Sequence, residues 1–161
     1  MQDDRPLFVD IKDNAPREGL PFVERNAIVG IVRDPHRGKY LGLRWKEVDW
    51  ETFVTGGIEE GQTGEEAARA EVLEETGYKN LQLVQELRGF HSQFYHHPKK
   101  CNRFAHVQAF LFNLVDDERV EIAEEDKGKF ELVWLTPEEL ESFRLPEGNR
   151  YSYDHIKILG L

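Results

Sequence analysis

Between Gly56 and Tyr78 the chain reads GGIEEGQTGEEAARAEVLEETGY, seven glutamates behind a pair of glycines. Glu71, Glu74 and Glu75 are spaced i, i+3, i+4, so on a helix they share one face. Like charges spaced this way on an exposed helix cost roughly 0.2–0.5 kcal/mol per pair. Within the segment no lysine or arginine stands four residues from any of the three to offset that cost. Carboxylates gathered without basic partners suit a hard divalent cation. Mg2+ and Mn2+ prefer oxygen ligands and retain waters that substrate phosphates can replace. The plainer alternative is a solvated acidic face. Gly56 and Gly57 read as a tight turn that lets backbone approach a metal or a phosphate closely.

The elements that must position these residues follow from pattern. Thr63 and Glu66 have the capping-box spacing, good helix formers follow, and Gly77 lies where a C-terminal cap belongs, so a helix is predicted over 63–76. Upstream, NAIVGIVRD (26–34) is a buried strand, PHRG a turn, KYLGLRW (39–45) its hairpin partner and WETFVTGG (50–57) a short strand ending in the glycines. Downstream, strands are predicted over 81–90, 103–115 and 130–135, with a polar, basic loop or hairpin tip over 91–102 and an acidic connection over 116–129. Thr136 as cap with Pro137 and Glu139 starts a second helix, and 150–161 reads as a last one. Hairpins mixed with a few helices point to an α+β sandwich rather than a doubly wound parallel sheet. Residues 1–25, with Pro6, Pro16 and Pro21, read as an N-terminal arm able to add one edge strand, and 26–161 as a single domain.

Composition narrows the function. The 161 residues carry 31 acids against 21 bases, a formal charge of −10, which excludes a general nucleic-acid binder with a basic face. An acidic chain still binds phosphates when cations stand between the anions. One cysteine, Cys101, allows no intrachain disulfide and suits a reducing, cytoplasmic setting. No apolar run approaches the length of a membrane span.

Gly56, five residues, Gln62, seven residues, Ala70, then Glu71-Val72-Leu73-Glu74-Glu75-Thr76-Gly77-Tyr78 resembles the signature of the Nudix hydrolases, G-x5-E-x7-R-E-U-x-E-E-x-G-U with U a bulky apolar residue. Gln62 stands where the pattern has glutamate and Ala70 where it has arginine. The resemblance implies an α/β/α sandwich with a mixed sheet. It implies a metal-dependent hydrolase that cleaves a pyrophosphate bond in a nucleoside diphosphate linked to another group. Thr55 (through its carbonyl), Glu71, Glu74 and Glu75 would then bind Mg2+ or Mn2+, with Glu71 or Glu74 taking a proton from water. A further acid from a late loop is common in the family. Glu124, Glu125 and Asp126 are the candidates here, and Glu125 is the one favoured.

Residues 91–106 form the most basic stretch of an acidic chain. Arg103 and His97 there could receive the anionic end of a substrate, with Phe94 or Tyr95 stacking on a base and Arg44 joining from the 39–45 strand. A solvated hairpin tip is the competing reading, and Trp45 and Trp50 read equally as packing. The expected partner is a nucleotide-type small molecule, with a homodimer left open and no bulk nucleic acid or membrane. Two other functions stay open. One is a non-catalytic nucleotide-binding module, free or part of a larger enzyme, for which Gln62 and Ala70 speak. The other resembles an isopentenyl diphosphate isomerase, for which Cys101 is the sole candidate thiol.

Overall fold

The computed structural model describes residues 3–161. Its strands are β1 (Leu7–Val9), β2 (Phe22–Asp34), β3 (Lys39–Trp45), β4 (Glu51–Thr52), β5 (Val54–Gly57), β6 (Leu81–His96), β7 (Cys101–Leu114) and β8 (Phe130–Leu135). The helices are α1 (Gly64–Thr76), α2 (Pro137–Ser142) and α3 (Glu147–Ile158). The strands form one mixed sheet in the order β1-β6-β7-β2-β3-β4, with β5 added to β2 and β8 to β3.

The centre of the sheet is the long parallel pair β2 and β7, in register from Phe22 with Asn102 to Arg33 with Asn113. Ile28 to Val32 is the apolar run that reads as fully buried strand, and it is buried on both faces. On one face α1 sets Ala67 and Ala68 against Ile28, Phe110 and Phe112. On the other, Tyr153 and Ile156 of α3 and Leu140 of α2 pack with Val29, Ile31 and Leu111. Helices on both faces of a mixed sheet make the expected α/β/α sandwich.

β2 and β3 pair only at their hairpin end, Arg33 with Tyr40 and Asp34 with Lys39. Past that point the chain pairs β2 with β5, Ala27 to Gly30 against Gly57 to Val54, while β3 pairs with β4 and β8. The single strand expected over 50–57 is therefore two, and Phe53 between them, fully buried, marks the change of partner. A cavity of about 360 Å³ is lined from both sides of this parting.

Of the loop or hairpin tip expected over 91–102, the structure makes a hairpin tip much shorter than that span. His91 to His96 continue β6 and pair with His106 to Cys101, so only 97–100 turn. The polar side chains there had hidden an alternation in which Ser92, Phe94 and His96 face the cavity. The N-terminal arm does add an edge strand, β1, parallel to β6 with Leu7 opposite His91. The last helix begins at Glu147, earlier than expected, behind a Pro146 cap that has no side-chain hydrogen bond to announce it.

Candidate active site

Thr63 caps α1 by accepting from the Glu66 N–H, and Gly77, with φ of 81°, ends the helix in the left-handed region open to glycine. The Thr63 hydroxyl also donates to the Glu66 carboxylate at 3.1 Å, a variation on the expected reciprocal box. The full box occurs instead at α2, between Thr136 and Glu139. With both ends fixed, Val72 and Ala68 lie against Gly30 of β2. Glu71 and Glu75 then border the cavity, together with Thr55 and Gly56 of β5. Glu74 of the same helix face is exposed.

The glycine pair has a physical cause that differs from the turn expected. A Cβ on Gly56 would collide with the Glu71 carboxyl, and one on Gly57 with the Arg25 guanidinium. The bare backbone of β5 is thus the seat for an acid and a base. Arg25 also pairs with Glu59 at 3.7 Å.

The electrostatics are strained. Burial first, then Glu74, pushes the Glu71 carboxyl up to about 7. Burial and then Glu71 and Asp126 push Glu75 well above the usual carboxylate range. Its Oε2 is buried with no hydrogen-bond partner among the described residues. Asp126 bears on both glutamates. Glu125 is exposed, and Asp126 is the half-buried member of the acidic loop, held at 3.3 Å from Lys129.

The residues expected to meet a substrate divide. Phe94 and Arg103 line the cavity. Arg44 does not; it donates to Glu51 at 2.9 Å and lies over the Phe143 ring. Tyr95 sits under the Arg17 guanidinium at 4.3 Å, and His97 bonds the Asp13 carbonyl at 3.0 Å, so both tie down the arm. Sequence reasoning passed over Asp10 and Arg25, which line the cavity; His96, which it placed only within the basic stretch, and Trp45 and Trp50, for which packing was the alternative reading, line it too. Their signal is register across strands, which a single sequence does not carry. Burial and then Arg103 lower His96 to about 4, so it is neutral near pH 7, and its Nδ1 is buried without a partner among the described residues.

Gln62 turns away from this chemistry. Its side-chain Oε1 accepts from the Glu59 N–H at 2.9 Å and its own N–H donates to the Glu59 carbonyl, bracing the loop before α1. Ala70 is half-buried, and Arg69 beside it bonds Glu65 and the Leu81 carbonyl.

Residues 23–156 match the NUDIX domain. The chain belongs to the NUDIX family. No curated protein is similar enough in sequence to stand as a relative. Similar solved structures include the E. coli dihydroneopterin triphosphate pyrophosphohydrolase, at 19% identity and TM-score 0.62, covering 84% of this chain and 98% of that one. The E. coli ORF135 protein shows 18% identity and TM-score 0.59 over 86% and 91% of the two chains. A UDP-X diphosphatase shows 18% identity and TM-score 0.58 over 85% of this chain and 61% of that one. At such identities the likeness is one of fold, and this NUDIX chain's chemistry rests on its own side chains. Among the described residues no helix is long and apolar enough to cross a membrane.

Proposed function

We propose that this NUDIX protein is a metal-dependent hydrolase that cleaves a pyrophosphate bond in a nucleotide or nucleotide derivative. The observation that carries the reading is the Glu75 carboxylate, with its buried, partnerless Oε2 beside Glu71 at a cavity edge. A protein interior does not hold uncompensated acids without cost.

The donor set fits a hard divalent cation. As they stand, no three His, Cys, Asp or Glu side chains among the described residues are drawn close enough to enclose an ion. The orphaned Glu75 oxygen and the perturbed Glu71, with Asp126 bearing on both, nonetheless gather carboxyl oxygens in one place. Glu71, Glu74 and Glu75, with the Thr55 carbonyl, would hold Mg2+ or Mn2+. When bound, the ion would neutralise phosphate oxygens and acidify an attacking water.

The chain's own groups supply the rest. Glu71, held against Gly56, is placed to accept a proton from water, with its affinity near the working range of a general base. Arg25 at Gly57 and Arg103 on the cavity floor offer cationic donors to the phosphate chain and its attachment. Trp50 lies edge-on to Phe94 at 6.1 Å and helps close the cavity to water. The single cysteine does not border the cavity, which speaks against the isomerase. Gln62 braces a loop, so its missing charge does not speak for a dead site.

The test is a panel of nucleoside di- and triphosphates and nucleoside diphosphate conjugates with Mg2+ or Mn2+, products being identified by mass. Metal-dependent cleavage between phosphates that Glu74→Gln or Glu75→Gln abolishes in folded protein is expected. Full turnover in both variants, or tight nucleotide binding without turnover, would overturn the reading.

A further inference from the structure

The far end of the cavity carries an acid, an aromatic ring and a base in one line across the sheet. β6 and β7 place Phe94 directly opposite Arg103. Val9 is in register with Gln93, and the Asp10 N–H donates to the Gln93 carbonyl at 2.9 Å, so Asp10 follows beside Phe94. All three side chains line the cavity. Asp10 and Arg103 stand two strand spacings apart, roughly 10 Å between backbones.

Neither end of the line is satisfied by the protein. Arg103 is only 7% exposed and faces the cavity, and no carboxylate among the described residues pairs with it. Its guanidinium reaches the cavity, where the acceptors of a ligand can pair with it. Asp10 comes from the arm, and the charge that bears on it is another acid, Glu147 at the start of α3. The two groups therefore ask for a ligand with adjacent N–H donors on one side and adjacent acceptors on the other. Ala27, Ala105 and Ser92 leave room for a flat ring over the floor.

Resting on the hydrolytic reading, we propose that Asp10, Phe94 and Arg103 select a base with a 2-amino-4-oxopyrimidine edge, as guanine or a pterin presents. The ring N–H and the 2-amino group donate to the Asp10 carboxylate. Arg103 donates to the carbonyl oxygen and the neighbouring ring nitrogen, the bidentate match that arginine makes to guanine. Phe94 supplies the platform on which the ring stacks. Adenine fails on both sides: it turns a lone pair toward Asp10 and an amino group toward arginine. Burial and Glu147 raise Asp10 to about 6, so its carboxylate is the main form at neutral pH, where the match operates.

The test uses phosphate-free nucleosides in EDTA, so that neither metal nor hydrolysis enters. Guanosine, adenosine, xanthosine and neopterin are titrated against the intact chain by tryptophan fluorescence. Guanosine or neopterin should bind at least about tenfold more tightly than adenosine, the value of one bidentate pair, and the tighter of the two names the source. Asp10→Asn should erase that preference and improve xanthosine, whose second oxo group accepts from the new amide. Equal affinity for guanosine and adenosine, no nucleoside binding at all, or a preference unmoved by Asp10→Asn overturns the assignment, whatever the hydrolysis assay shows. Base preference intact with no cleavage between phosphates in any nucleotide of the panel would instead sink the hydrolytic reading and leave this one standing.

Discussion

The Glu71 carboxyl rests on the bare Cα of Gly56, so that a single methyl group added to β5 would occupy its place. Gly56→Ala should therefore displace Glu71 with little harm to the fold. Misplacement of a reacting group by about 1 Å can cost on the order of a hundredfold in rate. Steady-state kinetics should show kcat/KM falling by about that factor while the melting temperature stays near wild type. Wild-type turnover in the variant would remove Glu71 from the reaction.

The buried acids set the sign of a pH effect. Both Glu71 and Glu75 have folded affinities for the proton raised above the value of 4.5 for a free carboxyl. A group raised in the folded state stabilises fully below its unfolded pKa and loses that contribution as pH rises through its folded pKa. Metal-free protein should thus melt at progressively lower temperature between about pH 4.5 and 7, the Glu71 window, and beyond it for Glu75. Glu75→Gln should flatten that decline and melt higher than wild type at pH 7 in EDTA. A flat wild-type profile would show that the carboxylates are solvated.

Asp126 and Glu125 separate the two possible acids of the late loop. Asp126 raises both Glu71 and Glu75, whereas Glu125 is exposed. Asp126→Asn should weaken Mg2+ dependence by about tenfold, one charge pair's worth of roughly 1.4 kcal/mol. Glu125→Gln should leave it near wild type. Metal titrations of activity distinguish them, and the reverse order would restore Glu125.

Neither Gln62 nor Cys101 should be required for turnover. Gln62→Ala loses the hydrogen bond from the Glu59 N–H and should cost about 1 kcal/mol in denaturant unfolding. Gln62→Glu keeps the acceptor and should hold or raise activity. Cys101→Ser should be silent in turnover, and a large loss there would revive a thiol mechanism.

How much of this could be read beforehand depends on the range of the interaction. Thr63, Gly77, Thr136 and the spacing of Glu71, Glu74 and Glu75 act within one or two helical turns, so their placement was legible from neighbours alone. The sandwich class followed from the same local signals. The row Asp10–Phe94–Arg103 depends on strand register between segments far apart in the chain, which local pattern does not encode. His91 to His96 looked like a loop because polar residues occupy both faces of β6, one toward a cavity and one toward solvent. Between Glu125 and Asp126 the chemistry is alike, and only the path of the turn decides which one points inward.

The three-residue strand β1 hydrogen-bonds along the margin of β6 at His91 to Gln93. A cleavage after Asp10 would strip that cover and leave a sixteen-residue ribbon with a vacant row of amides and carbonyls. Such a margin recruits strands from neighbouring molecules. The proline-marked arm therefore also guards the sheet against polymerising with its own kind, and its loss would first be seen as turbidity.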